Sequence, residues 1–287
     1  MPSLSVDSNP AFSIVVNGTP LPSSAAVRVR SIRVDEDTDL PGMVALELPG
    51  GDPSKETEWI DGSLFAIGGT MEVKLGYGSK LETVIAAEIT CIEPAFSSGL
   101  PPQLVVRGYD RRHRLQRGRK TRSFVQQKDS DIVSTIASEV GLTAETVDSE
   151  VTHDYVLQAN QTNMEFLLER ARLIRYEIVV EKTTFHFRPV QNDQGEVLTL
   201  SPGELLEFYP RLSSMGQLTE VEVRGWDAKE KKGLVASAAS GDEVSVMGKD
   251  SGASLAASAF GAAALRICSA PALTQGEAEQ IARAEYN

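Results

Sequence analysis

Histidine and cysteine are scarce in this chain, with three and two copies among 287 residues, and that scarcity narrows the chemistry it can carry. Cys91 and Cys268 match no metal-ligand spacing and neither demand nor exclude a disulfide; the plain expectation is two small buried hydrophobes. His113, His153 and His186 fall in a basic run, a polar stretch read as a loop, and a strand-like run, without HxH or HxxxH spacing. His186, between Phe185 and Phe187, is expected to face solvent. No nucleophile elbow, Walker loop or dinucleotide fingerprint occurs. The chain also lacks a run of about 18 apolar residues that would span a bilayer, and the basic-then-apolar start of a secretory leader. The expectation is a non-enzymatic protein made in the cytoplasm, with no catalytic, cofactor-binding or metal-ligating residue.

One acidic string tests that expectation. Asp35-Glu36-Asp37-Thr38-Asp39 places carboxylates at the first, third and fifth positions of a calcium-like loop, but Leu40 stands where such a loop needs Gly and Leu46 where it needs the bidentate Glu. A solvated turn is the better reading.

What is present is globular: 41% apolar and 24% charged residues, enough for two or three ordinary cores. Net charge is −12 but unevenly laid out. From Arg107 to Arg122 eight basic residues (Arg107, Arg111, Arg112, Arg114, Arg117, Arg119, Lys120, Arg122) face the single acid Asp110. With that segment at +7, the rest of the chain carries −19. Such asymmetry serves a contact, with either a polyanion or an acidic protein surface.

A repeat is also present. Val106-Arg107-Gly108-Tyr109-Asp110 returns as Val223-Arg224-Gly225-Trp226-Asp227, each after a strand-like run. Pro94-Ala95-Phe96-Ser97-Ser98-Gly99 precedes the first copy and Pro210-Arg211-Leu212-Ser213-Ser214-Met215-Gly216 the second. The spacing is too wide for a solenoid and suggests two similar units flanking a different one.

Periodicity agrees with that plan. The first hundred residues read as short strands, among them Phe12 to Val16 running into the Asn17-Gly18 hairpin signal, Val27 to Val34, Met43 to Leu48, Leu64 to Ile67, Met71 to Leu75, Thr83 to Ile92 and Gln103 to Val106. The middle changes period. Ile132, Val133, Ile136, Ala137 and Val140 fall on one helical face, with Asp129 or Ser130 as cap and Gly141 as stop. A second helix is predicted from the Thr162/Glu165 capping box, and a hairpin sets Ile178 and Val180 against Phe185 and Phe187. Strands are predicted to resume from Leu205 through Phe208, Leu218 and Val223. Residues 236–264, rich in Ala, Ser and Gly with charges at Asp242, Glu243, Lys249 and Asp250, read as a long loop with a short helix near Leu255 to Phe260. Leu265 to Cys268 is a strand candidate, and Thr274 with Glu277 opens a terminal helix.

Read in order, Arg107-Gly108-Tyr109-Asp110, Leu115-Gln116-Arg117-Gly118-Arg119, Ser123-Phe124, Asp131-Ile132-Val133, Gln158 to Leu167 and Phe185-His186-Phe187-Arg188-Pro189 closely resemble the phage late control D family, which includes baseplate hubs of contractile tails, the VgrG spikes of type VI secretion, and hub-spike proteins of extracellular injection systems. The resemblance is strong over 100–190 and carries no catalytic motif. It implies a mainly β fold with an α+β insert: a β-barrel tube domain over 1–115, an α+β domain over 116–200, and a second, similar β-barrel tube domain over 201–287 that looks unfinished. It further implies a homotrimer whose six barrels meet a hexameric inner tube protein, with a spike or needle-tip protein and baseplate proteins as partners. Such a chain would sit in an assembled injection particle or virion, and extracellular release stays open. Gly241-Asp242-Glu243-Val244 and Gln275 to Glu279 look most like the injection-system hub-spikes, which continue into an OB-fold and a needle, so the chain reads as a fragment of such a protein.

On this reading Arg111, Arg112, Arg114, Arg117 and Arg119 are the candidate inter-subunit or baseplate contacts. Arg107, Gly108, Tyr109 and Asp110, with Arg224, Gly225, Trp226 and Asp227, mark the repeated turn. The alternative is a nucleic-acid-binding module that lays 107–122 along phosphates and stacks Tyr109 and Phe124 on bases. It is disfavoured because the remaining −19 repels a polyanion. A cell-wall hydrolase is weaker still, since no acid pair has a recognisable setting.

Overall fold

The structure, a computed structural model, describes residues 9–52, 54–55, 57–190, 198–211, 213–244, 250–269 and 272–287. Leu212 of the second upstream repeat and Lys249 of the Ala/Ser/Gly segment lie outside the described residues.

The N-terminal part is one seven-stranded antiparallel sheet. Its strands are β1 (Pro10–Val16), β2 (Thr19–Pro20), β3 (Ser31–Asp35), β4 (Met43–Pro49), β5 (Thr70–Tyr77), β6 (Lys80–Ala95) and β7 (Gln103–Tyr109), in the order β2-β1-β5-β6-β7-β4-β3. Two one-turn helices, α1 (Ser23–Ala26) and α2 (Glu58–Asp61), lie in its connections. Period-two alternation buries Ile14 and Val16 on β1, Val44, Leu46 and Leu48 on β4, and Leu104 and Val106 on β7 against one face. Asn17 (φ 51°) and Gly18 (φ 77°) both adopt the left-handed region a tight hairpin needs, so β1 turns directly into β2. Residues Leu64 to Ile67 form no strand; Phe65 is buried from a bend instead. Val27 is also outside the strands, exposed at the end of α1.

The middle part has its own core. A 3₁₀ helix (Arg111–Gln116) leads into β8 (Lys120–Lys128), α3 (Asp129–Glu139), β9 (Thr143–Thr146), β10 (Thr152–Gln161), α4 (Asn163–Leu173), β11 (Tyr176–Glu181) and β12 (Thr184–Pro189). β8 and β10 form a two-stranded ribbon, and β11-β12-β9 a second sheet in which β12 and β9 run parallel. Ile178 pairs with Phe187 and Val180 with Phe185, the register the sequence implied. Thr162 Oγ1 accepts from Glu165 N at 3.1 Å while Glu165 Oε2 accepts from Thr162 N at 2.9 Å, closing the capping box on α4. Gly141 (φ 75°) stops α3, with Leu142 N donating to Ala137 O. The cap expected from Asp129 or Ser130 is displaced by one residue, because α3 already begins at Asp129 and the Asp129 carboxylate is engaged elsewhere.

The C-terminal part is smaller: β13 (Glu220–Asp227), β14 (Lys232–Ala239), α5 (Gly252–Phe260), β15 (Ala264–Ile267) and α6 (Gln275–Tyr286), with sheet order β14-β13-β15. α6 packs on β13 and β14 through Ala278, Ile281 and Ala282, against Val221, Val223, Ala236 and Ala238. The expected loop over 236–264 therefore begins later: Ala236-Ser237-Ala238 alternates with period two, and alanine on the inward side is what a closely seated helix admits. The strand predicted from Leu205 to Phe208 is absent. Pro202–Glu204 is a 3₁₀ turn, and Phe208 is exposed beyond it.

The architecture is mainly β, with several sheets. Among the described residues none closes into a barrel. The large sheet ends at β2, two residues long and containing Pro20, and at β3, which pairs on one side with β4 alone. Proline has no amide to donate and blunts its edge. The C-terminal sheet has only three strands.

Candidate interaction surfaces

The two copies of the repeat end their strands by the same device. Asp110 accepts from Arg112 N at 2.7 Å and Asp227 from Lys229 N at 2.9 Å, so each aspartate caps the residue two beyond it and turns the chain out of the sheet. Each glycine lies under a carbonyl. A Cβ on Gly108 would come to 2.8 Å from Glu88 O, and one on Gly225 to 2.4 Å from Ala272 O. The strands' neighbours differ, however. β7 lies between two antiparallel strands, β13 between antiparallel β14 and parallel β15. Tyr109 is half-buried and Trp226 is 56% exposed.

The basic segment is not a free arm. Glu88, buried on β6, collects three side chains from the 3₁₀ helix: Arg114 at 2.5 Å, His113 at 2.9 Å and Arg111 at 3.4 Å. Burial pushes the Glu88 carboxyl up, but hydrogen bonds from Arg114 and His113 outweigh it and hold the group below the usual carboxylate range. Arg114 also donates to Val140 O beyond the end of α3, so one guanidinium ties the first sheet to the middle core. Arg112, buried, pairs with Asp110 at 2.9 Å and donates to the carbonyls of Asp37 and Thr38. Arg107 pairs with Glu93, Arg119 with Glu165, and Lys120 and Arg122 with Glu139. Arg122 also lies 5.0 Å from the Phe124 ring centroid, and Phe124 stacks on Phe166. Seven of the eight basic residues thus meet a carboxylate of their own chain, and Glu88, Glu93, Glu139 and Glu165 together answer about half of the local +7 in place. Arg117 is the remaining one: it is exposed and has no carboxylate partner among the described residues.

The acidic string behaves as a turn, with Asp37 Oδ1 accepting from Asp39 N and Leu40 N at 2.8 and 2.9 Å, bonds that lower its pKa. With Arg112, Arg172 and β11 it lines a cleft of about 830 Å³ between the first sheet and the middle part. Cys91 is half-buried and Cys268 exposed, both free, which corrects the expectation of two buried thiols. His186 is shielded rather than facing solvent, because β9 lies alongside β12 and sets Glu145 Oε2 at 3.3 Å from its Nδ1. His153 is not in a loop. It is buried on β10, with Asp129 and Glu277 on its two nitrogens. Sequence reasoning missed this cluster although it had singled out Asp129 and Glu277 as helix-start residues.

Large apolar side chains are exposed mainly in the last third of the chain, including Leu206, Phe208, Tyr209, Met215 and Phe260. None of the nine residues of α5 is buried. Among the described residues no helix is long and apolar enough to cross a membrane.

A family model for the Alg8 N-terminal domain matches residues 7–287. This chain belongs to the Alg8 N-terminal domain family. No curated protein matches it. This chain has the fold of phage tail proteins. It is similar to the 43 kDa tail protein of prophage MuSo2 from Shewanella oneidensis at 13% identity and a TM-score of 0.60, over 97% of this chain and 78% of the other. It is similar also to a tail protein from Neisseria meningitidis MC58 (12%, TM-score 0.57, 94% and 74%) and to prophage tail protein gp18 from Listeria monocytogenes EGD-e (9%, TM-score 0.51, 90% and 71%).

Proposed function

We propose that this chain is a structural, non-enzymatic baseplate hub of a contractile, phage tail-like injection machine. Three copies form a ring that adapts a hexameric inner tube to a trimeric spike. The observation that carries this reading is a fold shared with three tail proteins, two of them from prophages, over at least 90% of the chain. It is supported by a repeated strand end whose glycine and aspartate do the same work in both copies. On this proposal residues 1–115 and 201–287 are the two tube domains, and 116–200 is the insert. The sheets left open here complete their closure against neighbouring copies. The partners are a second and third copy, the tube protein, the spike and other baseplate proteins, all within an assembled particle.

Contact with neighbours falls to the exposed turn Gln116-Arg117-Gly118, centred on Arg117, because Arg111, Arg112, Arg114 and Arg119 are committed to Glu88, Asp110, Glu165 and nearby carbonyls. Native mass spectrometry of the purified chain tests the ring. Three chains of 31.0 kDa give a particle of about 93 kDa, and a monomer at assembly concentration, with or without tube protein, refutes the trimer.

A further inference from the structure

We propose that His153, Asp129, Arg170 and Glu277 form a proton-dependent latch that seats α6, and with it the C-terminal sheet, on the middle part of the chain. The inference stands apart from the hub reading, and neither falls with the other.

The four groups come from four elements separated in sequence. His153 on β10 sets Nε2 at 3.0 Å from Asp129 Oδ2, at the start of α3, and Nδ1 at 2.5 Å from Glu277 Oε1, in the first turn of α6. Arg170 on α4 forks Asp129 through Nε at 2.6 Å and a terminal nitrogen at 3.0 Å. The other oxygen of Glu277 accepts from Leu273 N at 2.6 Å and Thr274 N at 3.0 Å, so the carboxylate that caps α6 also ties the helix to the imidazole. Gln280, one turn further along, donates to Ser149 O at 2.8 Å.

Both ring nitrogens face carboxylate oxygens, and only imidazolium can donate from both. With His153 charged, two cations answer two anions inside a closed space. With it neutral, one carboxylate confronts a nitrogen lone pair in a largely buried site. Burial pulls the imidazole pKa down, but the hydrogen bonds to Asp129 and Glu277 outweigh it and hold it at about 9 against an ordinary 6.5. Burial pushes both carboxyls up. The hydrogen bonds from His153, with Arg170 on Asp129 and the Leu273 amide on Glu277, hold them below their usual range.

The other charges nearby do not supply the switch. Arg170 stands 2.9 Å from Nε2 and opposes the imidazolium. Lys128 on β8 is turned to Asp148, and Tyr176 on β11, near Asp129, Asp148 and Glu150, is raised above its usual value. A space of about 20 Å³ bounded by His153, Arg170, Leu173, Ile174, Glu277 and Ile281 has room for about one water.

The sign follows. A raised imidazole pKa contributes stability that is complete below 6.5 and lost as pH rises through about 9. Depressed carboxyls contribute above their ordinary values and lose it as pH falls through their lowered ones. The latch is therefore closed through the neutral range and opens on both flanks.

Hydrogen exchange of the whole chain, read by mass spectrometry from pH 6 to 10 and corrected for intrinsic rate, tests it. The amides of 275–286 should be fully protected below about pH 6.5 and lose protection progressively as pH rises through about 9, on the order of a hundredfold in all, while peptides from β4 and β7 keep theirs. His153→Gln should leave α6 weakly protected at every pH. Should that variant not fold, an NMR titration of the wild-type imidazole decides. A midpoint near 9 that tracks the loss of α6 protection supports the latch. A ring titrating near 6.5, an α6 equally protected at pH 10, or an unchanged pH profile in His153→Gln overturns it.

Discussion

Replacing Glu88 with Gln keeps the shape of the β6 side chain and removes the one negative charge that Arg111, His113 and Arg114 share. Glu88's side chain is 8% exposed, so the charge is drawn from a nearly closed site. Removing one partner of a buried pair costs about 3–5 kcal/mol. Arg114 is 38% exposed and recovers part of its hydration, which brings the expected cost to about 2 kcal/mol. For a chain of this size that is a fall of about 4–8 °C in the thermal midpoint. The assay is thermal unfolding of wild type and Glu88→Gln, followed by circular dichroism at several pH values. Since the folded carboxyl titrates below its ordinary 4.5, the wild-type advantage should be whole at neutral pH and vanish as pH falls through that lowered value. A neutral-pH difference under about 0.5 kcal/mol, the range of inert surface changes, would refute the clamp. A difference that persists unchanged at pH 3 would assign the effect to packing instead.

The repeat offers a paired test. Gly108→Ala and Gly225→Ala each drive a methyl against a backbone carbonyl, at 2.8 and 2.4 Å, and each should destabilise by about 1–3 kcal/mol in denaturant unfolding; one that proves neutral would break the parallel between the two strand ends. On the assembly side, Arg117→Glu should shift the proposed 93 kDa particle toward monomer without moving the thermal midpoint by more than a degree or two, read by sizing and calorimetry. A particle of unchanged mass would remove this turn from the contact surface.

Local features were legible in the sequence wherever one stretch of chain decides its own shape. The Asn17-Gly18 hairpin, the Thr162/Glu165 and Thr274/Glu277 boxes and the β11/β12 register depend on residues within a few positions of one another, and periodicity exposes them. What escaped depends on partners far along the chain. His153 read as a loop residue because its ligands lie 24 and 124 positions away, and the basic run read as an arm because nothing in its composition says that Glu88 waits on another strand. The Ala236 to Ala239 strand was hidden for a different reason: a face of alanines gives almost no hydropathy contrast, and only the seated helix reveals which side is inward.

That alanine face has a mechanical corollary. Alanine has no rotamers to exchange, so where Ala278 and Ala282 rest on Ala236 and Ala238 the contact cannot yield by rearranging side chains. A push on the terminal helix at these alanines passes into the sheet's backbone with little side-chain give between them.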